Sequence, residues 1–150
     1  MPKRCFTSWL AMHRKLLTKD RLLRLKISQD NWCIICGSQP ETVEHLFFEC
    51  KFSAACLQML LKLVQKGTIK NDVKGVWHRS IRAVKGKKCR ALITAMTAVL
   101  IYIIWWARNE ALWNQRAPSP GVICAQVQQE CKIRVVIFYT GNVAGMRGSG

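Results

Sequence analysis

The chain has 150 residues, half of them hydrophobic, and sets 24 lysines and arginines against 8 acids, a formal charge of +16. That length allows one modest core, the apolar content excludes wholesale disorder, and the charge points to polyanions, nucleic acid first and an anionic membrane second. The aspartates, Asp20, Asp30 and Asp72, stand far apart, which excludes the clustered carboxylates of two-metal phosphoryl transfer.

The N-terminal stretch interrupts its apolar residues with Arg14 and Lys15 and shows no small-residue cleavage site, so the protein is expected to be intracellular, nuclear or cytoplasmic, and not secreted. In a reducing compartment its eight cysteines read as metal ligands or buried thiols, not as a disulfide framework.

Residues 4–26 read as two short basic helices. Thr18 is the candidate N-cap of the second, with Asp20 in its first turn. Leu16, Leu17, Leu22, Leu23 and Leu25 supply apolar faces. Arg14, Lys15, Lys19, Arg21, Arg24 and Lys26 are left for solvent or for phosphates.

Residues 33–50, "CIICGSQPETVEHLFFEC", follow the spacing Cys33-x2-Cys36-x8-His45-x4-Cys50. A C-x-x-C pair can aim two sulfurs at one cation from a tight turn, and Gly37 permits the reversal. His45 and Cys50 complete three sulfurs and one nitrogen, a set that suits one zinc ion and disfavours hard cations. With four protein ligands such a site is closed, hence structural. A helix is expected from about Pro40 or Glu41. Five residues along an ideal helix set side chains about 140° apart, so the helix must unwind near Cys50 before resuming through "SAACLQMLLKLVQK" to Gly67. The competing interpretation makes His45 a core histidine and the cysteines small hydrophobes. Trp32, just before Cys33, is a candidate for stacking on an unpaired base, with packing against the zinc core as its alternative. Phe47 and Phe48 are assigned to the core.

Residues 68–90 form a polar, basic connection. Residues 91–116 follow as one long apolar helix without Gly or Pro, its stripe running through Leu92, Met96, Val99, Ile103, Trp106 and Trp113. The uncharged stretch 91–107 meets the lower limit for a membrane span with a basic flank, so a small membrane-anchored protein is the alternative architecture. "APSPG" then breaks the helix. Ser119 is placed to cap a last helix carrying Ile123, Val127, Cys131 and Val135, although "IRVVIFY" has enough β-branching for a strand. The last ten residues read as disordered.

"WLAMHRKLLTKDRLLRLKI" followed by "CIICGSQPETVEHLFFECKFS" resembles the zinc-binding domain downstream of the polymerase in plant LINE-type (non-LTR) retrotransposon reverse transcriptases. The resemblance covers about residues 6–56 and rests on Trp9-Leu10, Leu16 to Asp20, Cys33, Cys36, Glu41-Thr42, His45 to Phe48 and Cys50. "WWARNEALWNQR" is similar to the Trp-x-x-Arg-Asn stretch that follows in such proteins. The chain departs from that pattern at Lys51, where proline is usual, and at Leu57, in the region where the pattern has a tryptophan. The resemblance implies zinc on Cys33, Cys36, His45 and Cys50 and a role in handling RNA or DNA.

The expected fold is mainly α: a small zinc-stabilised Cys-Cys-His-Cys module over residues 1–66, a connection over 67–90, the long helix over 91–116 and a C-terminal extension over 117–150. The expected function is non-catalytic nucleic-acid binding by a detached piece of a reverse transcriptase polyprotein. A retroelement remnant without function is the third interpretation.

Overall fold

The computed structural model describes residues 3–64, 86–116, 118–119, 122–123, 125–126 and 129–130, the side chains of 59–64 and 88–93 apart. Most of the connection over 67–90 and of the extension past 117, including the strand considered at 133–139 and the last ten residues, lies outside them. The described chain is mainly helical: α1 (Lys3–Met12), α2 (Lys19–Arg24), a π-helical turn (His45–Glu49), α3 (Lys51–Val64) and α4 (Lys87–Trp113). No strand occurs among the described residues; one isolated antiparallel bridge joins Trp32 to Pro40.

α2 mixes basic residues with leucines at helical spacing, whereas α1 holds a single leucine, Leu10, and buries Thr7 and Ala11. Both end in the same motif. After α1, Arg14 N–H bonds the Ala11 carbonyl at 3.0 Å and Lys15 N–H the Leu10 carbonyl at 2.8 Å. After α2, Lys26 N–H bonds Leu23 at 3.0 Å and Ile27 N–H bonds Leu22 at 2.9 Å. These paired reversals normally put glycine in the left-handed position; here Arg14 and Lys26 occupy it, at φ 53° and 58°. Thr18 does occupy the N-cap of α2, yet its hydroxyl donates to the Asp20 carboxylate and caps no backbone amide.

One core joins the N-terminal region to α4. α1 packs on α4, and the π turn packs on both α3 and α4. Ala11, Leu16, Leu46, Phe47, Phe52, Leu57, Val99, Leu100, Ile104 and Ile123 are buried together, with Phe48 packed at the margin. Burying each leucine or isoleucine fully contributes about 1.5–3 kcal/mol. Leu17, Leu23 and Leu25, by contrast, face solvent.

The buried face of α4 differs from the expected stripe. It runs Met96, Val99, Leu100, Ile103, Ile104, Ala107, Arg108 and Ala111, whereas Trp106 and Trp113 are 41% and 69% exposed. At about 100° per residue both tryptophans lie roughly 110–130° from the centre of the buried face, which explains their exposure. The helix also starts at Lys87, four residues earlier than the expected 91, and ends at Trp113. Among the described residues no helix is long and apolar enough to cross a membrane, so the span considered at 91–107 has no support here. Beyond α4, Ser119 acts as expected: its hydroxyl oxygen and its carbonyl accept from Val122 N–H at 3.3 and 3.0 Å, and the described residues that follow are helical.

Candidate metal centre

The residues on either side of Cys33–Gly37 run antiparallel and hold each other by backbone bonds. Cys33 N–H bonds the Gln39 carbonyl at 2.8 Å and Glu41 N–H bonds Asn31 at 2.7 Å. At the tip, Gly37 N–H bonds the Cys33 carbonyl at 2.7 Å with Gly37 at φ 64°, a left-handed conformation that a Cβ would strain. This closed knuckle turns the Ile35 and Cys36 amides toward the Cys33 sulfur. Ser38 Oγ donates to the Cys36 sulfur at 3.2 Å.

The second half of the site solves the 140° problem in an unanticipated way. Thr42 accepts from His45 N–H at 3.0 Å and starts the turn. The turn then widens: Cys50 N–H reaches the His45 carbonyl at 2.7 Å, an i→i+5 bond that stacks residue 50 over residue 45. Cys50 itself is extended, at φ −62° and ψ 133°, and α3 restarts at the very next residue. The helix does break at Cys50, as expected, but the five-residue loop before it is what brings imidazole and thiol to one side.

The result is a cluster in which one ligand atom from each of Cys33, Cys36, His45 and Cys50 lies within 4.8 Å of the others. His45 Nε2 is 3.3 Å from the Cys36 sulfur. Two thiolates about 2.3 Å from a tetrahedral zinc sit roughly 3.8 Å apart, so a slight contraction would seat the ion. Cys33, His45 and Cys50 are buried, and Cys36 is half-buried. The neighbouring Cys50 sulfur, then burial, push the Cys33 thiol up, while the Cys33 side chain holds the Cys50 thiol down. His45 Nδ1 is buried with no partner among the described residues. Donor chemistry and spacing fit a zinc ion.

Behind the knuckle lies a relationship that sequence reasoning missed. Glu41 is fully buried, and its Oε1 accepts from Arg108 Nε at 3.0 Å, Arg108 Nη2 at 2.8 Å and the Lys19 amide at 2.8 Å. Arg108 also donates to the Leu17 carbonyl at 3.0 Å and lies over the Trp105 ring at 4.8 Å. Glu41 therefore links the knuckle, the start of α2 and α4, four residues ahead of His45. The signal was present: Arg108 is a charge on the buried register of an otherwise apolar helix face.

The basic residues singled out in the sequence separate into groups. Lys15, Arg21 and Lys26 make no ion pair among the described residues, and Arg21 donates to the Lys15 carbonyl at 2.6 Å. Arg14 and Arg24 are exposed but pair with Glu44 at 2.5 Å and Asp20 at 3.3 Å. Lys19 does not face solvent: it is 7% exposed, and its ammonium donates to Asp30 at 2.7 Å. Burial between α2 and the knuckle removes it from any phosphate-binding surface. Trp32 is 52% exposed, with its amide bonded to Asp30 Oδ1 at 3.0 Å. Surplus thiols show no catalytic grouping among the described residues: Cys5 is exposed and Cys56 lies in the core, neither in a disulfide.

Residues 1–56 match the protein family described as zinc-binding in reverse transcriptase. The match takes in α1, α2, the knuckle and all four clustered ligand atoms, and leaves α4 outside it. No curated protein and no solved structure gives a significant match to the chain.

Proposed function

We propose that this chain, whose first 56 residues carry a zinc-binding domain of the reverse-transcriptase type, is a non-catalytic module that holds one structural zinc ion and binds nucleic acid. The observation that carries the first half is the closed donor set: three sulfurs and one imidazole nitrogen within 4.8 Å. When bound, zinc supplies a cross-link between the knuckle and the π turn; with four protein ligands it leaves no position for a reacting water. The chain's own contribution is to preset the sulfurs through Gly37 and the histidine through Thr42.

The second half rests on charge and on where it is kept. Five of the acids are tied up, Asp20, Asp30, Glu41, Glu44 and Glu130, each paired with a cation. Among the described residues Lys15, Arg21 and Lys26 make no ion pair, beside Arg14 and Arg24, and Trp32 stands exposed next to the site. Arg14 and Lys26 hold backbone positions where glycine would be free of strain, at a cost of about 1–2 kcal/mol each. The lead-in resemblance supports origin in the region after the polymerase of a non-LTR retrotransposon reverse transcriptase.

Metal analysis of the purified chain tests the first half: one zinc per chain is expected, lost in Cys36→Ser, and a metal-free chain of unchanged helicity would refute it. Binding to RNA or DNA that weakens steeply with salt supports the second half, and a flat salt response would refute it.

A further inference from the structure

The outer face of α1 carries an aromatic row that the metal centre and the basic residues leave unexplained. Phe6 and Trp9 on α1 and His13 just past its end recur at i, i+3 and i+7, while the opposite face buries Thr7 and Ala11 against α4. Phe6 is 51% and Trp9 41% exposed. Their ring centres are 6.4 Å apart with planes only 13° from parallel, and His13 follows at 4.6 Å from Trp9. Rings that size left in water on a folded helix mark a contact surface.

The charges around the row indicate what it contacts. Lys15 Nζ sits 4.9 Å from the centre of the Trp9 ring, and Arg21 is hydrogen-bonded to the Lys15 carbonyl at 2.6 Å. Neither cation has an acidic partner among the described residues. A protein surface docked on this face would have to desolvate both cations or supply carboxylates for them. A single-stranded nucleic acid offers flat bases and phosphates together, and aromatic rows beside cations bind such strands with little regard to sequence.

We infer that Phe6, Trp9 and His13 form a stacking platform for the unpaired bases of a single strand, with Lys15 and Arg21 meeting the adjoining phosphates. This deepens the nucleic-acid reading and rests on it; the platform lies on α1, apart from Trp32.

The test uses the full zinc-loaded chain and short labelled strands of three kinds: RNA, DNA of the same sequence, and an abasic DNA of the same length. The tighter of the first two names the natural strand. The wild-type chain should prefer base-bearing strands to the abasic one. The double variant Phe6→Ala/Trp9→Ala should lose about tenfold or more on base-bearing strands and little on the abasic strand, with the salt slope kept. Phe6→Tyr/Trp9→Phe should bind as wild type, and zinc content should be unchanged in both, because these rings are exposed. If the alanine double variant binds every strand as wild type does while Lys15→Gln weakens them all, the platform is refuted alone, the nucleic-acid reading stands, and a protein becomes the occupant to seek. If the wild-type chain binds no strand, both fall together.

Discussion

Arg108 and Glu41, 67 residues apart in sequence, form a buried ion pair in which Nε and Nη2 converge on one carboxylate oxygen. Their side chains are 2% and 0% exposed, so water compensates neither charge. The second carboxylate oxygen, Oε2, has no partner among the described residues. The pair makes α4 a wall of the candidate metal centre, although the matched domain ends at residue 56.

Removing one member should therefore be severe. Arg108→Met leaves Glu41 buried without its cation and is expected to lower stability by about 3–5 kcal/mol. The double variant Arg108→Met/Glu41→Leu should recover most of that loss, since an uncharged pair has no desolvation cost. Urea unfolding of the zinc-loaded proteins measures both, and a single variant as harmful as the double would contradict the pairing.

Zinc affinity should rise with pH. The metal-free site keeps a proton on Cys33, whose thiol is pushed up by Cys50 and by burial. Each ligating thiol must lose its proton to bind, so acidification favours the metal-free state. Competition against a chromogenic chelator across neutral pH reads the slope; an affinity independent of pH would be incompatible with thiolate ligation.

Lys26→Gly should move stability and binding in opposite directions. Glycine relieves the left-handed strain at φ 58° and should stabilise the fold by roughly 1 kcal/mol. Loss of one phosphate contact should reduce the salt slope for a single strand by about 0.7. A stabilised variant with an undiminished slope would remove Lys26 from the interface.

Asp30 should add an acid-sensitive component to stability. The Lys19 ammonium, then the Trp32 amide, hold its carboxyl below the ordinary 3.8. Because the folded value is the depressed one, the contribution is present above about 3.8 and disappears as pH falls through the lower folded value. In stability measured against pH, Asp30→Asn should lose this limb, so its curve and that of the wild type converge below that range. Curves that stay parallel through that range would contradict the assignment.

Much of the metal centre was legible before any coordinates. Cys33, Cys36, His45 and Cys50 announce themselves by spacing, because a C-x-x-C pair followed by glycine specifies its own local turn. The break at Cys50 followed from helix geometry alone. The π turn that precedes it did not, since no local residue preference distinguishes a five-residue hydrogen-bonded loop from a four-residue one. Packing of Leu46 and Phe47 against α3 and α4 accompanies that choice.

By itself, then, the sequence determined the helical content, the candidate ligand set and the excess of positive charge, which depend on residue type and near-neighbour spacing. Tertiary structure alone decided which charges stay available: Lys19 is withdrawn by Asp30 and Arg108 by Glu41, while Lys15, Arg21 and Lys26 make no ion pair among the described residues. It also turned Trp106 and Trp113 outward and left Phe6 and Trp9 on the open face of α1. The physical reason is that burial and ion pairing depend on partners distant in sequence, and a one-dimensional pattern carries no record of which distant residue arrives.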